Sequence, residues 1–346
     1  MKTKNKLRVA QAGVGGFGSH RRARLRETDL FELVAAYDWN REALLECEQR
    51  DGAKPVSSYT ELLAVPRIDA VILSTGAKYH AEQIVQAAER GLHVFVEKPL
   101  CCTKQELEAI LAAQKKNRIV IGVGHHDHAH DAVSRTIKRM IDGNELGKIA
   151  TFEFTTAHSG GLVIKEGDWR GDPDKNPGGM LFQCGVHGLH ELMFYFGAIT
   201  EVSAMMRYDV HRTATADVAI CHLRFASGLI GSLNAYHVTP YRHALNIFGT
   251  TSNLYREELS FDEGTRLFRQ TTHLDGKKEP RVAVTIDGAT DDCGNLRSFY
   301  HAINKGGQPY PSAFDGARAV IAVFAAEESA RSGKPVSVEP VMPDER

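Results

Sequence analysis

The chain has 346 residues, enough for two domains, because single cores rarely grow past about 250–300 residues. Its 42% apolar and 25% charged residues exclude a globally disordered chain. Lys and Arg number 42 against 43 Asp and Glu, a formal net charge of −1, which removes the electrostatic case for nucleic acid or an anionic membrane as partner.

The first 123 residues alternate between short apolar runs and polar-apolar helical patterns. Met1–Lys6 is basic, but the apolar run behind it, Leu7–Ala12, is too short for a signal peptide and has no small-residue cleavage site. The spacing predicts strands over residues 7–12, 32–37, 70–74, 92–96 and 119–123. Helices are predicted from the glycines after the first strand to Arg26, then over 41–49, 77–90 and 104–116. This alternation makes βαβ units and a parallel sheet buried on both faces. Beyond about residue 147 the strands lengthen, over 151–157, 201–208, 219–225, 229–235 and 244–249, with Ala226-Ser227-Gly228 as a hairpin loop. Helices over 295–304 and 314–332 and a last strand near 336–338 follow. The fold class expected is α/β, with residues 1–123 forming a doubly wound parallel sheet. Residues 124–346 are expected to form an α+β domain on a large, mostly antiparallel open sheet, the C-terminal helix packing back on the first domain. No apolar run reaches the roughly 18–20 residues of a membrane span, so no membrane partner is expected. The six cysteines are scattered without a CxxC and read as reduced thiols of a cytoplasmic protein.

Gly13-Val14-Gly15-Gly16-Phe17-Gly18 is a GxGxxG that follows the first predicted strand and opens a helix, and Asp38 stands at the end of the second strand. Together they form the dinucleotide-binding (Rossmann) fingerprint. Gly13 permits the tight turn, Gly15 lets backbone approach a pyrophosphate, and Gly18 lets helix pack closely on strand. The helix N-terminus binds phosphate through free N–H groups and its partial positive charge. Asp38 accepts hydrogen bonds from both adenosine ribose hydroxyls and repels a 2′-phosphate, favouring NAD over NADP, although Arg41 stands close enough in sequence to neutralise such a phosphate.

Glu97-Lys98-Pro99 follows the strand LHVFV. With "STGAKYHAEQIVQAAERGLHVFVEKPL" (residues 74–100), "DWRGDP" (168–173), "GGMLFQCGVHGLH" (178–190) and "FAAEESARSGKPVSV" (324–338), it makes nearly the whole chain resemble the Gfo/Idh/MocA oxidoreductases, the group of glucose–fructose oxidoreductase and inositol dehydrogenase. The resemblance implies an NAD-binding N-terminal domain and a C-terminal domain whose open sheet makes a homodimer or homotetramer contact. It also implies a substrate that is a sugar, cyclitol or related polyol. The implied cofactor-binding set is Gly13, Gly15, Gly16, Phe17, Gly18, Asp38, Ser74, Thr75, His80, Glu97 and Lys98.

The resemblance places Lys98 beside nicotinamide and substrate, before a proline that is often cis, where it stabilises developing alkoxide charge. It makes His187 the general base that takes the hydroxyl proton. Gln183 occupies a position where relatives usually carry Asp, and His190 another. An amide orients a hydroxyl but accepts no proton. Trp169 and Arg170 match a common "WR" pair, with Arg170 either clamping substrate oxygens or pinning its loop.

The resemblance puts His125, His126, Asp127, His128 and His130 at the floor of the site, with His and Asp where relatives usually carry Asn and Arg. In an extended segment His126 and His128 share a face. They would bind polyol hydroxyls or cap the helix starting near Ala132. No metal is expected; were one held, His126, His128, His187 and His190, or His158, would be its ligands. Two other functions compete with a dehydrogenase: a lyase or glycosidase that retains its NAD through transient sugar oxidation, and a non-catalytic nucleotide sensor.

Overall fold

The computed structural model describes residues 6–211, 213–258, 260 and 264–341. Of the basic N-terminal segment only Lys6 is among them. The chain divides into two compact units. The first takes in residues up to Asp127 and also Asp291–Ala317; the second spans His128–Thr290 and Arg318–Val341.

The first unit runs β1 (Leu7–Ala12), α1 (Phe17–Thr28), β2 (Phe31–Tyr37), α2 (Arg41–Asp51), β3 (Lys54–Pro55), α3 (Tyr59–Leu63), β4 (Ala70–Leu73), α4 (Ala77–Glu89), β5 (His93–Val96), α5 (Lys104–Asn117) and β6 (Ile121–Val123). All its strand pairs are parallel, and their order is β3-β2-β1-β4-β5-β6. This is the doubly wound order that reverses direction beside β1, where ligands bind at the carboxyl ends of strands. The short central strands are apolar on both faces because helices cover both: Ala70–Leu73 is buried throughout. On one face Leu7, Val9, Ile72 and Phe95 pack with Leu25 and Phe299, the Phe95 and Phe299 rings meeting edge to face at 5.6 Å.

Helix starts divide into two kinds. Side chains cap α2 (Asn40), α3 (Ser58) and α5, where Thr103 and Glu106 form a reciprocal capping box. By contrast α1 and α4 begin at Gly16 and Gly76 with no side-chain cap and no acidic residue in the first turn.

The second unit begins with α6 (Ala132–Asp142) and β7 (Ile149–Ala157). It continues through α7 (Val186–Phe196), β8 (Ile199–Arg207), β9 (Val218–Phe225), β10 (Ile230–Tyr236), β11 (Arg242–Gly249), β12 (Ser252–Glu258), β13 (Thr265–Thr271) and β14 (Val282–Ala283). Then α8 (Gly294–Lys305) belongs to the first unit, the division falls within α9 (Ala313–Ser332), and β15 (Val336–Ser337) closes the second unit's sheet. Among the described residues that sheet has nine strands in the order β14-β13-β12-β11-β7-β10-β9-β8-β15. Every pair is antiparallel except β7 with β10 at its middle. The hairpin at 226–228 joins β9 to β10, with Gly228 in the left-handed region its turn requires. Alternate residues of β9 (Ala219, Cys221, Leu223, Phe225) are buried, as a sheet packed on one face demands. The α7 helix lies on that face. A Cβ at Gly188 would stand 2.5 Å from the Phe154 ring, so glycine sets how close helix and sheet come. Nearby, Phe152, Phe196 and Phe225 form a three-ring cluster with centroids 5.2–5.7 Å apart.

Candidate active site

The carboxyl edge of the parallel sheet gathers the glycine turn after β1, Asp38 after β2, Ser74 and Thr75 after β4, and Glu97 and Lys98 after β5. A cavity of about 500 Å³ opens there, lined by Gly13, Gly15, Gly16, Asp38, Ser74 and Thr75. Sequence reasoning missed several others in its wall: Trp39, Tyr59, Tyr79 and Gln83. Arg41 is exposed and is not part of the lining.

The glycines are held for different reasons. A Cβ on Gly13 would lie 2.5 Å from the Ser74 carbonyl oxygen, and one on Gly18 2.1 Å from the Gly13 carbonyl oxygen. Both positions need glycine because backbone packs on backbone. Gly16 has φ +50° and open space around it, leaving the backbone bare toward the cavity. Gln11, fully buried in β1, donates from Nε2 to the carbonyls of Gly13 (2.8 Å) and Gly18 (3.0 Å), stapling the turn from beneath. Its signal in the sequence is a lone amide in an apolar strand directly before the glycines. The Asp38 carboxylate accepts the Val14 and Gly15 N–H groups and, on its other oxygen, that of Asn40.

This wall fits a dinucleotide. Two uncapped helix starts, α1 and α4, begin at its glycines. Ser74 Oγ is buried with no hydrogen-bond partner, a polar atom at the cavity that a ligand would satisfy. Phe17 is exposed beside the turn.

His80 and Glu97 do not line this cavity. The His80 ring is 1% exposed, with Nδ1 2.9 Å from the Pro99 carbonyl oxygen and Nε2 3.0 Å from that of Thr75. Burial holds its pKa below the usual imidazole value against the pull of those carbonyls. Glu97 is buried and accepts from Arg21 Nε at 2.7 Å. Lys98, half-buried, follows Glu97 and precedes a cis proline.

In the second unit, His187 is half-buried in the first turn of α7. Before it the chain makes a π-helical turn, Leu181–Gly185, and Gln183 sits half-buried in that turn. Such turns shift the side chains they carry off the four-residue repeat. One turn past His187, the buried Glu191 carboxylate accepts from Arg256 of β12 and, at 3.0 Å, from the Tyr195 hydroxyl. His158 accepts the Gly160 N–H on Nδ1, so its proton sits on Nε2 and points at Cys184 Sγ, 3.4 Å away.

The histidine cluster does not share a face. His126 is exposed, whereas His128 is buried, with Nδ1 2.9 Å from Ser134 Oγ and its ring 5.2 Å from that of the buried His190. The chain turns at 128–130, which breaks the alternation an extended segment would keep. Among the described residues no group of three or more His, Cys, Asp and Glu is arranged to hold a metal ion. Trp169 and Arg170 lie in an exposed 3₁₀ turn (Trp169–Gly171). The Arg170 carbonyl takes hydrogen bonds from buried Asn176 and from Thr215, while its guanidinium stacks on Trp169 and pairs with Asp168.

Comparison with known proteins agrees with this geometry. Residues 7–125 match the family model described as the oxidoreductase family, NAD-binding Rossmann fold, and residues 134–255 match the Gfo/Idh/MocA C-terminal domain. The chain is 28% identical over 286 residues to scyllo-inositol 2-dehydrogenase (NAD(+)) of Bacillus subtilis, covering 81% of this chain and 80% of that one. A solved structure from Desulfitobacterium hafniense, provisionally assigned as an NADPH-dependent oxidoreductase, superposes with a TM-score of 0.90 at 25% identity over 97% of this chain and 99% of that one. Levoglucosan dehydrogenase in complex with NADH and levoglucosan has a TM-score of 0.85 at 22% identity, covering 97% and 100%.

Proposed function

Because the chain belongs to the Gfo/Idh/MocA family of NAD-binding oxidoreductases, we propose that it oxidises a hydroxyl of a sugar, cyclitol or related polyol, or reduces the corresponding ketone. The observation that carries this reading is the alignment of Gly13, Asp38, Ser74 and Lys98 along one edge of the parallel sheet, a nucleotide cavity with a lysine at the next strand end. Bound NAD supplies the acceptor for the hydride that leaves the carbinol carbon. The chain supplies the rest. Lys98 donates a hydrogen bond to the reacting oxygen and holds its developing negative charge. His187 takes the hydroxyl proton, which leaves a keto carbon. Gln183 and Arg170, with Trp169 and His126, orient the remaining hydroxyls. His128, buried on Ser134 and His190, acts from behind the surface as packing.

Asp38 supports NAD as the working cofactor, since its carboxylate stands at the cavity and Arg41 does not. Assembly as a homodimer or homotetramer through the nine-stranded sheet belongs to the same proposal. Met205 is 78% exposed and pairs across strands with exposed Ile220, and Ile230 is exposed farther along the neighbouring strand β10. Six free cysteines suit a cytoplasmic setting, and among the described residues no helix is long and apolar enough to cross a membrane.

The test is NADH absorbance with NAD and a panel of inositols, levoglucosan, free sugars, sugar acids and glycosides, with product analysis by mass spectrometry. Stoichiometric NADH and ketone from one class is the expected result. Cleavage of a glycoside without NADH would replace this reading by the cofactor-retaining lyase, and NADH binding with no turnover of any class by the sensor.

A further inference from the structure

Lys98 is flanked by two residues whose partners lie far away in sequence. Before it, Glu97 is paired with Arg21 at 2.7 Å, both side chains about nineteen-twentieths buried. Arg21 stands on α1, one turn past Gly16, and its guanidinium lies 4.7 Å over the Phe95 ring of β5. Gly124 makes room for this carboxylate: a Cβ there would stand 2.5 Å from Glu97 Oε2. After Lys98, the Pro99 carbonyl meets His80, whose other nitrogen meets the carbonyl of Thr75 in the cavity wall. Thr75 is fixed in turn by its hydroxyl, which donates to Gln83 at 2.6 Å. Both partners of His80 are acceptors, so a neutral ring donates to one at a time, and the site of its proton selects which loop it holds.

Buried ion pairs contribute little net stability compared with apolar replacements, so the Arg21–Glu97 pair needs a reason other than stability. We propose that Arg21 and His80 are positioning residues that tie the two neighbours of Lys98 to the two loops of the nucleotide cavity, so that occupancy of the cavity and placement of the lysine are coupled. The proposal deepens the reading that Lys98 meets the reacting oxygen, and rests on it for its catalytic consequence. One brace runs from the glycine turn through α1, Arg21 and Glu97. The other runs from Thr75 through His80 and Pro99. Each starts at the nucleotide wall, at the glycine turn or at Thr75, and runs to Lys98 through side chains, Arg21, Glu97 and His80, that are buried and do not line the cavity.

The test reads the lysine directly and needs no substrate. The full-length protein is trace-acetylated with acetic anhydride with and without NADH, and the Lys98 rate is measured by peptide mass spectrometry against exposed Lys116. In the wild type NADH changes the relative rate of Lys98 by about threefold or more. In His80→Phe and Arg21→Met the rate without NADH shifts by a similar factor and the response to NADH disappears. Their NADH dissociation constants stay within about threefold of the wild type. His80→Gln, which restores one donor, recovers part of the response, and Arg21→Lys serves if the methionine variant fails to fold. No NADH effect in the wild type, or an unchanged Lys98 response in both variants, overturns the proposal. So does loss of NADH binding in step with the labelling change, which would make these residues props of the nucleotide wall alone. Lys98→Met with full polyol turnover would instead overturn the role of Lys98, and the labelling result would stand apart from it.

Discussion

The Asp38 carboxylate accepts the Gly15 N–H at 3.1 Å, so the acid proposed to select the nucleotide also holds the turn proposed to receive it. The same oxygen takes the Val14 N–H at 2.8 Å, and the second oxygen takes that of Asn40 at 2.9 Å. Backbone donors fix the charge in place at no side-chain entropy cost of their own. Asp38→Asn keeps the size, loses the charge and turns an NH₂ toward one set of N–H groups. Its NADH affinity is expected to fall by about tenfold to a hundredfold, the size of losing one or two charge-assisted hydrogen bonds. NADPH, which the carboxylate repels, should lose far less. Fluorescence titrations with both nucleotides check this, and an unchanged NADH-to-NADPH preference would sink it.

Trp39 is 76% exposed yet lies edge-on to Tyr79, ring centroids 5.6 Å apart, and both line the nucleotide cavity. The chain has two tryptophans, and the other, Trp169, belongs to the second unit. NADH is therefore expected to quench tryptophan emission chiefly through Trp39. Trp39→Phe should remove most of that change and weaken binding by about fivefold to tenfold, while Trp169→Phe leaves the quenching intact. Equal quenching in both variants would count against the cavity as the nucleotide site.

Much of this fold is legible in the sequence, and what is not has a physical cause. The βαβ alternation showed because strands buried on both faces must be short and apolar, and the glycine turn showed because Gly13 and Gly18 admit no Cβ. The cavity's aromatic wall did not, since nothing local distinguishes Trp39 or Tyr79 from any surface aromatic. The motifs that carry His80 and Glu97 imply a cofactor role, but the partners of these side chains, Pro99, Thr75 and Arg21, are set by packing that no motif shows. The reading of His126 and His128 as one face failed where a turn replaced the extended chain. The π-helical turn at Gln183 had no sequence signal that a regular helix would not also carry.

Burial pushes the Glu327 carboxyl above the ordinary carboxylate range, against a hydrogen bond from the Gly178 N–H and the charge of Arg331. The folded chain thus disfavours the ionised form. Below the unfolded pKa both states hold the proton and no penalty exists; as pH rises through the folded value the penalty grows to its full size. Glu327→Gln, which can still accept from Gly178, should therefore melt higher than the wild type at neutral pH. The two should converge near pH 4 and below, about where the unfolded carboxyl titrates. Melting curves across that range decide it; a constant offset at all pH values would place the effect in packing.

Glu191 and Arg256 join α7 to β12 in the core of the second unit. Arg256→Met strands a buried carboxylate that keeps the Tyr195 hydroxyl and, at 4.0 Å, His243 Nε2 but has lost its arginine, at an expected cost of about 3–5 kcal/mol. The double variant Glu191→Leu with Arg256→Met removes both charges and should regain most of that loss. Denaturant titrations of the two single variants and the double variant close the cycle, and additive losses would show that the pair does not act as a unit.

Lys98 and His187 stand in different units and are assigned different tasks, so their variants should fail differently. Lys98→Met removes the cation proposed to meet the developing alkoxide. Its kcat is expected to fall by about 10²–10³, the usual loss for one oxyanion donor, with NADH affinity held within about threefold. His187→Asn removes a proton acceptor and should lower kcat by about 10²–10⁴. The two separate in their pH profiles. Oxidation by the wild type should lose rate on the acid side as the imidazole takes up a proton, and His187→Asn should lose that limb, because water, whose protonation state does not change over this range, then takes the proton. Lys98→Met should keep it. Steady-state rates on whichever polyol the panel identifies, measured from about pH 5 to 9 at saturating NAD, make the comparison. An acid limb that survives in His187→Asn would move the base to another residue, whatever the size of the loss in rate.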